Sequence, residues 1–274
     1  MDSTSSTSAS AANQRQPSFY IPHGGGPCFF MPDPSGIWTG MAQFLQALPT
    51  LLPERPKAIL VISGHWETSG FAFTGAANPS LIYDYSGFPP DTYALRYDVP
   101  GAPALAARAA TLLADAGLPS AVDPGRGLDH GVFVPLKVAF PDADIPVVEM
   151  SLDKGLDPER HAAAGRALAP LRDEAVLILG SGMSFHNMRG YGDPRSQGPS
   201  RDFDDWLTAS IAMPGARRAA ALAGWVTAPG GRYSHPREEH LLPLMVAAAA
   251  SESPGQSVYK GVLGESVISG YRFD

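Results

Sequence analysis

The chain has 274 residues, 44% hydrophobic and 17% charged, which is long enough for a sizeable core and too apolar for a disordered or highly charged tail protein. Twenty basic against twenty-seven acidic residues leave a net charge of −7, with no run of Lys or Arg suited to a phosphate backbone or an anionic membrane surface, so neither nucleic acid nor membrane is expected as a partner. The one cysteine, Cys28, excludes a disulfide framework and a Cys-rich zinc site; it fits a reducing, cytoplasmic setting and leaves any metal site to His and carboxylate.

No apolar stretch reaches the roughly 18 residues of a membrane span. Residues 1–17 are Ser, Thr and Ala rich, lack a basic n-region and an apolar h-region, and read as a disordered leader, with one domain over 18–274. Ser18 to Pro22 reads as a strand that ends in the turn His23-Gly24-Gly25-Gly26-Pro27. Ile37, Met41, Phe44, Leu45 and Leu48 keep helical spacing, and Pro53 and Pro56 close that segment. Ala58 to Ser63 is a continuous apolar run, the pattern of a strand buried on both faces, and it places His65 just past the strand's carboxyl end, where open α/β sheets bind ligands.

A helix over Ala102 to Ala116 stops at Gly117, a C′ glycine. Leu128-Asp129-His130-Gly131 precedes a strand over Ile145 to Met150, a helix over Pro158 to Leu171, and a strand over Ala175 to Leu179 that runs into Gly180-Ser181-Gly182-Met183-Ser184-Phe185-His186-Asn187. Helices follow over Asp202 to Met213 and Ala216 to Trp225. Ser234-His235-Pro236 then opens an apolar helix to Ala250, with Pro236 at N1 and Glu238 and Glu239 at its positive end. Val258 to Phe273 supplies closing strands. The sum is one α/β domain with a central mixed, mostly parallel sheet flanked by helices.

Of seven histidines, all but His161 lie at segment boundaries. His161, between Arg160 and a run of alanines, reads as a surface residue. His23, His65, His186 and His240 follow separate segments, and rigid strand ends are where sheets hold reactive side chains, so together they point to a metal or acid/base site. Imidazole suits Zn, Fe, Cu and Ni alike. Gly24-Gly25-Gly26 matches no phosphate-binding loop, and no Gly-x-Ser-x-Gly elbow is completed around Ser181 or Ser184, which weighs against nucleotide binding and serine hydrolysis. A metal-dependent hydrolase using the same histidines to activate water, and a non-enzymatic binding protein, stand as alternatives.

The motifs Pro22 to Pro27 (PHGGGP), Ser63 to Glu67 (SGHWE), Leu128 to Gly131 (LDHG), Gly180 to Asn187 (GSGMSFHN) and His235 to Leu244 (HPREEHLLPL) stand in an order that resembles the class III extradiol ring-cleavage dioxygenases, in particular the DOPA 4,5-dioxygenase branch. The resemblance runs from Phe19 to Phe273 and implies cleavage of a catechol such as DOPA by dioxygen. It implies His23, His65 and His240 as metal ligands, His186 as acid/base and His130 as a substrate-orienting group. Fe(II) would be the active metal and Zn a possible occupant of the purified protein, with His186 then near enough to be a fourth ligand. Many members of the wider class use two His and one Glu, so Glu239 competes with His240 for the third position. Tyr85, within Tyr83 to Pro89, is expected near the substrate. Glu67, Asp129 and Asn187 are candidates for fixing imidazole tautomers, and Arg96 and Arg237 for holding a substrate carboxylate.

Overall fold

In the computed structural model, which describes residues 15–274, Ser18–Pro22 forms β1. Its side chains alternate between two cores: Phe19 and Ile21 enter one, Tyr20 the other. β2 (Ala58–Thr68) repeats this division, with Ile59 and Val61 on the first side and Leu60 and Ile62 on the second. So does the later strand at Val176–Gly182, where Leu177 and Leu179 oppose Ile178. The stretches 19–21, 58–62 and 176–179 are apolar throughout because both of their faces are covered. The remaining strands are β3 (Phe71–Thr74), β4 (Ser120–Asp123), β5 (Val147–Asp153), β6 (the Val176–Gly182 strand), β7 (Gln256–Leu263) and β8 (Ser266–Phe273).

Among the described residues these eight strands make one sheet in the order β4-β3-β5-β2-β6-β1-β8-β7. The central β5-β2-β6-β1 pairings are parallel; β8 joins β1, and β7 joins β8, antiparallel. The helices are α1 (Thr39–Ala47), α2 (Pro103–Asp115), α3 (His130–Ala139), α4 (Pro158–Leu168), α5 (Gln197–Ile211), α6 (Gly215–Ala223), α7 (Gly231–Ser234) and α8 (Leu242–Ala249). α1 and α3 cover the Phe19/Val61 face, where Phe44, Leu45, Val132 and Leu136 pack. α2, α4, α5, α6 and α8 cover the other. No helix among the described residues is long and apolar enough to cross a membrane.

Several expectations shift. β2 continues through His65, with a register change against β5 between Ile62 and Glu67, so this histidine lies on the strand rather than beyond it. The helix expected to reach Leu171 ends at Leu168 and tightens into a 3-10 turn, with Ala175 left-handed at φ 61°. Pro236 is not an N1 residue: 235–241 is turn, and α8 begins at Leu242 with Pro243 in its first positions. His161 is fully buried rather than on the surface. Its Nδ1 donates to the Asp157 carbonyl (2.7 Å), its Nε2 accepts from the Asp153 amide (3.2 Å), and its ring meets Phe71 edge-on. The short β3 and β4 had no sequence signal, and β4 is mostly exposed. Of the expected leader, residues 1–14 lie outside the described residues, whereas Arg15 pairs with Asp173 and the Gln16 amide donates to the Arg172 carbonyl.

Candidate active site

Three parallel strands deliver the histidines to one edge of the sheet, at their carboxyl ends. His23 follows β1, its amide bonded to the Gly182 carbonyl, and the chain turns away at once through Gly24 at φ 82°. His65 occupies the irregular end of β2. His186 follows β6, held by its amide to Ser234, and His130 opens α3. His240 arrives from the far side on the turn before α8, whose backbone lies flat on the strand ends. Its carbonyl accepts from the Tyr20 hydroxyl (2.7 Å) and the Met183 amide (3.3 Å). Glycine is required beneath it, since a Cβ at Gly182 would overlap the His240 carbonyl oxygen. The turn that replaces the expected helix start is therefore what carries His240 over the sheet.

The five rings converge. His65 Nε2 is 3.3 Å from His23 Nε2 and 3.2 Å from His240 Nε2. One nitrogen each of His23, His65 and His130 lie within 4.8 Å of one another, as do ligand atoms of His186, Glu239 and His240. The outer nitrogens of four of the five rings face carboxylates; the buried Nδ1 of His23 has no hydrogen-bond partner among the described residues. His240 Nδ1 donates to Glu239 Oε1 (2.9 Å), and His186 Nδ1 reaches the same oxygen at 3.0 Å. His130 directs Nδ1 and its amide to Asp84 Oδ1 (2.8 and 2.9 Å), while Asp84 Oδ2 lies 3.6 Å from His65 Nδ1. A proton held at Nδ1 leaves the lone pair on Nε2.

Burial first, then the neighbouring imidazoles, hold His23 well below the usual histidine range. Burial likewise lowers His65 to about 4, and it lowers His240 despite the opposing hydrogen bond to Glu239. The Glu239 carboxyl, which burial alone would raise, is kept well below the carboxylate range by its bonds to His186 and His240; Asp84 is lowered in the same way by His130. Neutral imidazoles that crowd their Nε2 atoms together, with carboxylates behind them, make the donor set of a divalent transition metal, and the residues fit one. Glu239 faces the Nδ1 side of two histidines and acts as their partner here.

These rings floor a chamber of about 600 Å³ walled by Ile37, Trp38, Tyr85, Phe88, Met188 and Tyr191. Tyr85 lies where expected, its ring edge-on to His130, but its hydroxyl is committed to the Thr92 carbonyl (2.6 Å). Of the proposed tautomer-fixing groups, none hydrogen-bonds an imidazole. Glu67 forms a two-pronged pair with Arg237 (2.6 and 2.7 Å), Asn187 bonds the Tyr233 carbonyl and the Arg189 amide, and Asp129 takes the Ser63 hydroxyl and Arg126. That task falls to Asp84 and Glu239. Asp84 sits within the Tyr83 to Pro89 stretch, where the aromatic residues are the signal legible in the sequence. Arg96 is exposed, paired with Asp98 and outside the chamber lining; Arg237 lines a neighbouring chamber. His235 is a core residue, its Nε2 donating to the Ser184 carbonyl (2.9 Å) between Phe203 and Trp225.

Comparison with known proteins defines the class. Residues 19–270 match the family described as the catalytic LigB subunit of aromatic ring-opening dioxygenase. The chain belongs to this family and is a ring-cleaving extradiol dioxygenase in kind. It is 42% identical over 205 residues to the 4,5-DOPA dioxygenase extradiol of Beta vulgaris, covering 73% of this chain and 75% of that protein. Identity to dioxygenase tasH of Hapsidospora irregularis is 40% over 257 residues (86% and 78% covered), and to the 4,5-DOPA dioxygenase extradiol of Escherichia coli K12 it is 35% over 243 (87% and 86%). The crystal structure of an uncharacterized protein of Escherichia coli K12 superposes with a TM-score of 0.78 at 30% identity, covering 95% of this chain and all of that one.

Proposed function

We propose that the protein opens the ring of a DOPA-like catechol with dioxygen, using Fe(II) held by His23, His65 and His240, with His186 and His130 handling protons and substrate. The observation that carries this reading is the convergence of the three Nε2 atoms beneath an aromatic chamber of a size for one ring and its substituents. Bound there, Fe(II) would supply the redox chemistry that ground-state dioxygen needs to react with a closed-shell catechol, which zinc cannot. The single buried thiol, Cys28, supports a cytoplasmic location.

The chain's own residues divide the remaining work. Trp38, Phe88 and Tyr191 limit water at the chamber and pack against a ring. His186 has Nδ1 engaged by Glu239, so Nε2 is the atom at which it accepts a phenolic proton from the entering catechol and returns it to the opened product. Its ring stacks on His240, at 3.4 Å between centroids and 18° between planes, which fixes its orientation. His130, with Nδ1 bound to Asp84, presents Nε2 as an acceptor that orients the second hydroxyl.

Anaerobic loading with Fe(II), followed by oxygen uptake over a catechol panel that includes DOPA, tests the reading. The expected result is stoichiometric oxygen consumption with a product heavier by two oxygen atoms, and none after loading with Zn(II). Hydrolysis of an ester by the Zn form, with no catechol consuming oxygen in the Fe form, would overturn it in favour of a hydrolase.

A further inference from the structure

Beside the histidine chamber lies a second one of about 620 Å³, and the two share His186 and Met188 as walls. Their linings differ in charge. The histidine chamber has no Asp, Glu, Lys or Arg in its lining, whereas the second is faced by Arg189, Arg195 and Arg237. Two of these guanidiniums are spent: Arg195 on Asp193 (2.6 Å) and Arg237 on Glu67. The acids that line the chamber are spent as well, Asp193 on Arg195 and Glu239 on His186 and His240, with a longer contact to Arg237 at 3.5 Å. Arg189 alone among the three has no carboxylate partner among the described residues. Only its backbone is engaged, the amide donating to Asn187 Oδ1 (3.1 Å).

An anionic group carried on the side chain of a catechol whose hydroxyls face the histidines finds no Lys or Arg in the lining of the histidine chamber. Past Met188, which is 70% exposed and touches both spaces, it meets an uncompensated guanidinium. We infer that Arg189 is a specificity-determining residue that receives a carboxylate carried on the side chain of the catechol, with the second chamber as the side-chain subsite. A planar guanidinium is suited to pairing a carboxylate in two-pronged fashion, and a protein of net charge −7 needs such a local cation to hold an acid. This inference rests on the ring-cleavage reading and names, within it, the residue and the space that select acidic catechols. It also moves the carboxylate contact away from Arg96 and Arg237, whose own carboxylate pairs occupy them.

The test compares dihydrocaffeate, an acidic catechol, with uncharged methylcatechol on the Fe(II)-loaded protein. In Arg189→Ala the KM for dihydrocaffeate should rise about tenfold while kcat and the KM for methylcatechol stay within about twofold, the pattern of lost binding remote from the reacting ring. Arg189→Lys should recover part of the difference, and Arg108→Ala, on the outer surface of α2 and paired with Glu174, should leave both substrates unchanged. Anaerobic calorimetry reads the same contrast as Kd without requiring turnover. Equal Kd ratios in wild type and Arg189→Ala overturn the inference. A preserved Kd contrast without oxygen uptake overturns the ring-cleavage reading and leaves the anion subsite standing.

Discussion

The protein buries two kinds of histidine, and burial does not tell them apart. His161 and His235 are as inaccessible as His23 and His240, and burial lowers the pKa of all four. Their partners differ. His161 spends both nitrogens on the backbone, and His235 donates to a carbonyl and packs between aromatic rings. The cluster at the sheet edge backs every ring but that of His23 with Asp84 or Glu239 and turns Nε2 atoms toward one another. The core imidazoles bond to the backbone around them, through both nitrogens in His161 and through Nε2 alone in His235, whereas the clustered imidazoles face one another through Nε2, the arrangement that a shared cation requires. The distinction can be broken experimentally.

The largest effect should follow removal of a nitrogen from the cluster. His65→Ala is expected to abolish oxygen uptake and bring bound metal close to zero, as metal analysis would show, with an unchanged circular dichroism spectrum; full metal occupancy in this variant would remove His65 from the ligand set. His186→Ala should lose roughly 10²- to 10⁴-fold in turnover, the scale for an acid/base group, while keeping its metal. If metal and activity fall in proportion, His186 is a ligand instead. Asp84→Asn should weaken metal affinity by about 10- to 100-fold, the range for groups that orient a ligand, read by competition with a chelator. An affinity unchanged in that variant would show that the carboxylate belongs to the loop alone.

The smallest effect concerns the core class and appears in stability rather than catalysis. Burial pushes the His235 imidazole down to about 3 in the folded chain, against the ordinary value of about 6.5 when unfolded. The unfolded state therefore binds a proton that the folded state refuses between those values. Stability is full above about pH 6.5 and falls as the pH drops toward 3, by up to about 1.4 kcal/mol per unit for this one group. His235→Gln should flatten the decline in urea midpoint between pH 7 and 5 by about one proton's worth. An identical slope in the variant would assign the acid sensitivity to other groups.

The strands legible in the sequence, β1, β2, β5 and β6, are those covered on both faces, so each carries an apolar stretch even though β5 also buries Glu149, Ser151 and Asp153. β3 has four residues and β4 lies exposed at the sheet margin, so neither leaves a run long enough to notice. His161 reads as a surface residue in the sequence, yet is buried, for a related reason. Its neighbours Arg160 and Ala162 to Ala164 carry no strong stripe, and which side of such a helix faces the sheet depends on where the sheet lies. The site shows the same division: the histidines were visible at strand ends beside glycine, while the choice of Asp84 and Glu239 over Glu67 and Asn187 as their partners was not.

Sequence by itself determined the α/β class, the apolar strands, the glycine turns and the set of histidines they carry, because these follow from backbone freedom and local burial pattern within a few residues. Tertiary structure alone decided which carboxylates stand behind the histidines, and which of the three arginines lining the second chamber has no carboxylate partner among the described residues. Those are contacts between segments far apart in the chain, as between His65 and His240 or Glu67 and Arg237, and their geometry is set by the register of strands and the path of the turn before α8. A carboxylate's role is settled by the group that reaches it first in space, a property that no local pattern encodes.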